Sequence, residues 1–291
     1  MNIFSDDLKR FAHAMRVFSI FPLNCGMDYK IFTFAWVWSI LIGLVSTIGF
    51  SILNSKLFAS FTLNNIRFRS FSFFISSIIL SKNLPRLIQE VDVFDQHFCK
   101  DGGVIRNPLM NRGSVWVLIS TISSLSILLM HSLFIKANSL KVVKIIVGCY
   151  TYNVRQLWIY LYIFFCFNLK SRFKDVQKKW CKHVDTITTY KYSNNIEKNL
   201  EAVRLEYANL CRIVENMSQC FGYHLSLYYI TVFLEIINDI FGCIYAEDKY
   251  RQFGPYILLN FIVIFVLGWI SGEVTREVSN FVNSKYYFIL F

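Results

Sequence analysis

At 291 residues the chain could hold one or two water-soluble domains, but 55% of it is hydrophobic and only 17% is charged. Its apolar residues are gathered into long runs, which points instead to an all-α, polytopic membrane helical bundle of about six spans. The 30 Lys and Arg against 19 Asp and Glu give a net charge of +11; in such a bundle this marks cytosolic loops and not a nucleic-acid partner.

Residues 1–30 form a cytosolic N-terminal segment. Asp6, Asp7, Lys9, Arg10 and Arg16 precede any long apolar run, so there is no short apolar core of the signal-peptide kind. The first span, Ile31 to Leu53, has no charged residue and serves as its own insertion signal. Span two runs from about Leu57 to Leu80 and carries Arg67 and Arg69, which must snorkel, pair or face water. A polar connection, Ser81 to Gly113, leads to span three, Ser114 to Ile135, whose one ionisable side chain is His131. After a turn at Lys136 to Lys141, span four occupies Val142 to Leu169 with Arg155 inside it. Residues 31–169 thus hold spans one to four.

The connection 170–221 is the longest polar segment. It ends in a heptad seam in which Ile196, Leu200, Val203, Tyr207, Leu210, Val214, Met217 and Phe221 alternate at spacings of four and three. Val203, Tyr207, Leu210, Val214, Met217 and Phe221 are the residues expected to pack against other helices. Residues 222–272 carry span five, His224 to Tyr245, and span six, about Phe253 to Gly272. Residues 273–291 form a cytosolic tail.

Lys and Arg in alternate connections fix the orientation. There are 4 up to Lys30, 5 in Ser81 to Gly113, 10 in Lys170 to Phe221 and 2 after Gly272, 21 in all, against 6 in the other turns. Both termini and the heptad helix are therefore expected in the cytosol. None of the eight cysteines falls in a CxxC pair, so neither a disulfide framework nor a zinc site is expected.

Along span five, His224, Tyr228, Thr231, Glu235, Asn238 and Gly242 share one face, with Asp239 beside it. A carboxylate deep in a bilayer needs a partner or water, and Arg155 on span four lies at a depth matching Glu235 within roughly 3 Å at ~1.5 Å per residue. Two readings stay open: a buried structural ion pair, or the polar wall of a ligand cavity formed by Tyr152, Arg155, Tyr228, Thr231, Glu235, Asn238 and Asp239. Gln156, Trp158 and Tyr160 read as packing or interfacial residues. No HxxxH, HExxH, GxSxG or glycine-rich phosphate loop occurs, so an enzyme, a metal centre and a bound cofactor are not expected.

Tyr207 to Tyr245, with Phe221-Gly222 at its hinge between the polar helix and span five, resembles the corresponding part of the insect gustatory receptor family. Gly268 to Val282, with Glu273 and Val278, is similar to that family's exit from span six, and Arg16 to Gly26 to its N-terminal segment. The resemblance implies a ligand-gated cation channel subunit in the plasma membrane of chemosensory neurons. It also implies a small-molecule tastant, and a homo- or hetero-tetramer held together by cytosolic helices, with Val203, Tyr207, Leu210, Val214, Met217 and Phe221 as the oligomer-packing residues. The family's pore-lining seventh span, with its Thr-Tyr and Gln-Phe signature, has no counterpart before Phe291. The expectation is a receptor chain lacking that span: a truncated product, a fragment or a degenerate gene, giving no current alone. An insect odorant receptor and a pore-less interacting or regulatory subunit remain the alternatives.

Overall fold

The computed structural model describes Leu8, residues 83–99, Val115, Leu118, Ile119, Ile122, Ser139–Thr189, Asn194–Tyr245 and Tyr250–Ile289. Within the three long helices, side chains are described for 156–185, 198–237, Ile240, Leu258 and 260–280. Spans one and two, nearly all of span three, Arg67, Arg69 and His131 lie outside the described residues. All described residues are helical. The helices are α1 (83–99), α2 (Ser139–Thr189), α3 (Asn194–Tyr245) and α4 (Tyr250–Ile289).

The ranges expected for spans four, five and six each fall inside one helix, and each helix runs on past its span. No proline occurs in α2 or α3, so nothing in the backbone forces an end where the polarity changes. The divisions drawn at 169/170, 221/222 and 272/273 therefore fall within unbroken helices. The tail after Gly272 continues α4 as far as Ile289. One helix among the described residues, Lys198–Ile237 within α3, is long and apolar enough to cross a membrane by length and composition.

α2 is the central helix. From Gln156 to Cys166 every residue is buried, as befits a helix that is apolar nearly all round. α3 lies antiparallel to it: Trp158 meets His224, Tyr162 meets Phe221 and Phe173 meets Tyr207, with ring centroids 5.8, 5.5 and 5.7 Å apart. α4 runs parallel to α2, shown by Tyr162 Oη at 3.0 Å from Ser271 Oγ and Lys174 Nζ at 3.4 Å from Glu277. α1 also runs parallel, with Asp95 beside Arg172 and Phe98 beneath Lys179.

The heptad seam is filled from within the chain. Val203, Leu210, Met217 and Phe221 are buried in the core shared with α2 and α4, and Leu200, Tyr207 and Val214 pack partly buried against it. Tyr207 Oη also donates to the Val278 carbonyl of α4 at 3.1 Å. Beyond Phe221 the same alternation of three and four continues into His224, Tyr228, Thr231 and Glu235, so both sets lie on one stripe of α3. Below Phe221 that stripe is apolar and the opposite face carries exposed Glu201, Arg204, Arg212 and Glu215. Above it, the buried side carries His224, Tyr228 and Thr231 beside the core residues Val232 and Ile236, and the opposite face carries exposed Tyr229, Ile230 and Phe233.

The charges on the lower part of α2 join it to all three neighbours. Arg172 is almost fully buried and grips Asp95 of α1 with two hydrogen bonds, Nε to Oδ1 at 2.7 Å and Nη2 to Oδ2 at 2.5 Å. Its Nη1 donates to the carbonyl and the side-chain oxygen of Asn168 at 3.0 and 3.1 Å. Removing one partner leaves a buried charge uncompensated, a loss of about 3–5 kcal/mol, whereas an exposed pair contributes about 0–1 kcal/mol. Asp95→Ala should therefore lower the thermal stability of detergent-solubilised protein far more than Glu201→Ala, which breaks the exposed Arg204–Glu201 pair. Equal losses would show that the buried pair does not secure α1.

Candidate functional site

The stripe of α3 above Phe221 sets His224, Tyr228, Thr231 and Glu235 on one face of the helix. His224, Tyr228 and Thr231 are buried. His224 tilts at 57° to the Trp158 ring of α2, and Thr231 Oγ1 donates to the Tyr228 carbonyl at 2.9 Å, a bond within its own helix turn. Glu235 is half-buried, and its Oε2 accepts from Asn260 Nδ2 of α4 at 3.4 Å, a long and weak bond.

Tyr228, Thr231 and Glu235 thus stand on one described face. Tyr152 and Arg155 on α2, and Asn238 and Asp239 on α3, have described backbone only. The expected Arg155–Glu235 pair lies outside the described residues for that reason. Asn260 was not singled out from sequence. Its signal was there, since it is the lone strongly polar side chain between Tyr256 and Trp269.

On α2, Gln156 is buried and neither atom of its amide has a hydrogen-bond partner; the same holds for Trp158 Nε1. The two residues lie roughly 200° apart around the helix at ~100° per residue, so they cannot be two halves of one contact. A buried amide left without a bond costs about 1–3 kcal/mol, so Gln156 is a place where a hydrogen-bonding ligand or water would stabilise the protein. Among the described residues no group of three or more His, Cys, Asp or Glu is placed to hold a metal ion.

Below the stripe, α2 and α4 are joined by a ladder of charges. Lys170 Nζ contacts Glu273 Oε2 at 2.5 Å and lies 5.9 Å above the Trp269 ring; one turn further down, Lys174 meets Glu277. Arg276 adds a second cation to Glu273 at 2.7 Å. On the α3 side Lys179 Nζ reaches Glu206 Oε1 at 2.6 Å, and on the α1 side Glu90 accepts from Asn216 Nδ2 of α3 at 2.6 Å. These contacts hold the four described helices in one register beneath the polar stripe.

The hydrogen bond from Lys170, reinforced by the charges of Lys170, Arg276 and Lys174, holds the Glu273 carboxyl below the usual carboxylate range. A carboxyl with a depressed folded-state pKa stabilises the fold above its unfolded value. That contribution disappears as pH falls through the folded value. Thermal stability of the solubilised protein should therefore drop as pH is lowered below about 5, and Lys170→Met should make that drop shallower while lowering stability at pH 7. An acid slope unchanged by Lys170→Met would place the acid-sensitive groups elsewhere.

Compared with known proteins, the chain matches no protein family, no curated protein and no solved structure.

Proposed function

We propose that the chain is a multi-pass plasma-membrane receptor of the insect chemoreceptor type, a gustatory receptor subunit of a ligand-gated cation channel. In this reading six spans surround a polar cavity and both termini face the cytosol, as the 21 to 6 distribution of basic residues suggests. The observation that carries the ligand-binding part is the polar stripe of α3. His224, Tyr228 and Thr231 are buried within a helix long and apolar enough to span a bilayer, where polar groups are costly and usually serve a partner or a pathway. The resemblance of Tyr207 to Tyr245 and of Gly268 to Val282 to the gustatory receptor family supplies the receptor class.

In this reading a small tastant with hydrogen-bonding groups enters beside Tyr228, Thr231 and Glu235. The membrane's low dielectric strengthens such bonds and selects against ligands that leave them unmade. Because α2, α3 and α4 continue unbroken below the stripe, a shift at the ligand moves the lower bundle as well. Assembly with further copies or with related receptors, in a tetramer, would then convert that shift into opening of a cation path.

Patch-clamp recording tests the proposal directly, with a panel of sugars and bitter alkaloids applied to cells expressing the chain alone and together with a related receptor subunit. The expected result is an evoked cation current in the paired cells. In Glu235→Gln the active concentration should shift by roughly 2- to 10-fold, the equivalent of one hydrogen bond. No evoked current in either arrangement, together with no saturable tastant binding to the purified protein, would contradict it.

A further inference from the structure

Glycine stands at one height on two neighbouring helices, and nothing in the packing asks for it there. The Tyr162 ring of α2 lies 5.5 Å from the Phe221 ring of α3, and its hydroxyl lies 3.0 Å from Ser271 Oγ of α4. Gly222 and Gly272, each the next residue along its chain, are therefore level. A Cβ added at Gly222, Gly268 or Gly272 would meet no atom within 4 Å. Glycine is the poorest helix former after proline, because it loses the most backbone freedom on folding. At these three open helical positions it lowers helix stability with no gain in close packing.

α4 carries a second feature at the same height. Ser271 Oγ donates to the Leu267 carbonyl at 2.8 Å, and Thr275 Oγ1 donates to the Ser271 carbonyl at 3.1 Å. Two successive turns thus hold a hydroxyl bonded back to the carbonyl four residues earlier, an arrangement that loosens and bends helices. Adjacent glycine and serine, as at Ser271-Gly272, mark one of the few local causes of a helix kink. The Ser271 hydrogen is committed to Leu267, so the Tyr162 hydroxyl is the donor to Ser271 Oγ. α2, by contrast, has neither glycine nor proline over 149–189.

We infer that α3 and α4 bend at this height, α3 at Gly222 and α4 over 268–275, against α2 as a straight strut, and that the Tyr162–Ser271 hydrogen bond is the latch holding α4 at its observed angle. Below the bend, Lys170 and Lys174 of α2 hold Glu273 and Glu277 of α4, and Lys179 holds Glu206 of α3. Above it, α4 meets α3 through the long bond from Asn260 to Glu235 at 3.4 Å. The ion pairs anchor the lower arms to the strut, and the swing belongs to the upper arms. A displacement beside Tyr228 and Thr231 then reaches the ladder of charges as a change of angle at the bend. The inference rests on the contacts between the helices and not on the ligand, the current or the receptor class.

Distances between pairs of spin labels, carried on unnatural amino acids in the full chain in lipid nanodiscs, test it. One label sits at Lys178 of α2, and the second at Phe233 or Phe261 above the bend or at Ser218 below it, all exposed positions. The distance distributions from Lys178 to Phe233 and to Phe261 should be about twofold wider than that to Ser218. Combining Gly222→Ala, Gly268→Ala and Gly272→Ala should raise the melting temperature and narrow both to near the width of the Ser218 pair.

Two further variants separate a bend from general helix stiffness. Tyr162→Phe keeps the ring beside Phe221 and removes the latch, so it should widen the Phe261 distribution further. Asn209→Ala, at an exposed position of lower α3, favours the helix away from the bend and should leave every width unchanged. Equal widths for all three pairs in the unaltered chain would overturn the inference. So would widths that respond neither to the three alanines nor to Tyr162→Phe, or an equal narrowing produced by Asn209→Ala.

Discussion

A helix that leaves water for hydrocarbon must exchange its inside for its outside, and on the proposed reading α3 does so without a break. In water its buried stripe has to be apolar and its free face polar; in lipid the free face has to be apolar, and polar groups are tolerated only where they are sheltered. Val203, Leu210 and Met217 on the stripe give way to His224 and Thr231 at the same seven-residue spacing, while Glu201, Arg204 and Arg212 on the other side give way to Ile230 and Phe233. The register of α2, α3 and α4 follows from this. Each helix has to make the exchange at the same height, or polar surface is stranded in one layer and apolar surface in the other.

The charges on α2 enforce that common height. Lys170 and Lys174 take Glu273 and Glu277 on α4, Lys179 takes Glu206 on α3, and Arg172 takes Asp95 on α1. The partly exposed pairs contribute little individually to stability. The buried Arg172–Asp95 pair is different in kind. Its net stabilisation over an apolar replacement is small, but every alternative register leaves a buried charge unpaired, so it discriminates between arrangements more than it strengthens one. The same logic explains why the polar seam above is compact. A hydrogen-bonding face excluded from water must be closed by its own neighbours, as Trp158 closes His224 and Asn260 meets Glu235.

Part of this was legible in the sequence. The four-and-three spacing from Leu200 to Phe221 and the spacing from His224 to Glu235 could both be read directly, because helix geometry converts spacing into faces. That the two form a single stripe follows from the continuity of α3. The ladder on α4 was also within reach: Lys170 and Lys174 on one segment, and Glu273 and Glu277 on another, share a spacing of four with opposite sign. The Arg172–Asp95 pair was not, since 77 residues separate the partners and no local pattern connects them. The use of Val203, Leu210, Met217 and Phe221 within the chain was equally hidden. A heptad seam gives the face of a helix and leaves open whether its partner is the same chain or another.

A cryo-electron microscopy map of the full chain in lipid nanodiscs tests the central claim most directly, because it shows the lipid belt and the helices together. The account predicts disc density around α3 and α4 that ends at Tyr223 and Trp269. Below that edge the ladder of Lys170, Lys174, Glu273 and Glu277, and the Arg172–Asp95 pair, should stand intact in solvent. Disc density reaching down to Arg204 and Thr275, or α3 and α4 leaving the disc at different heights with Arg172 turned away from Asp95, would contradict it.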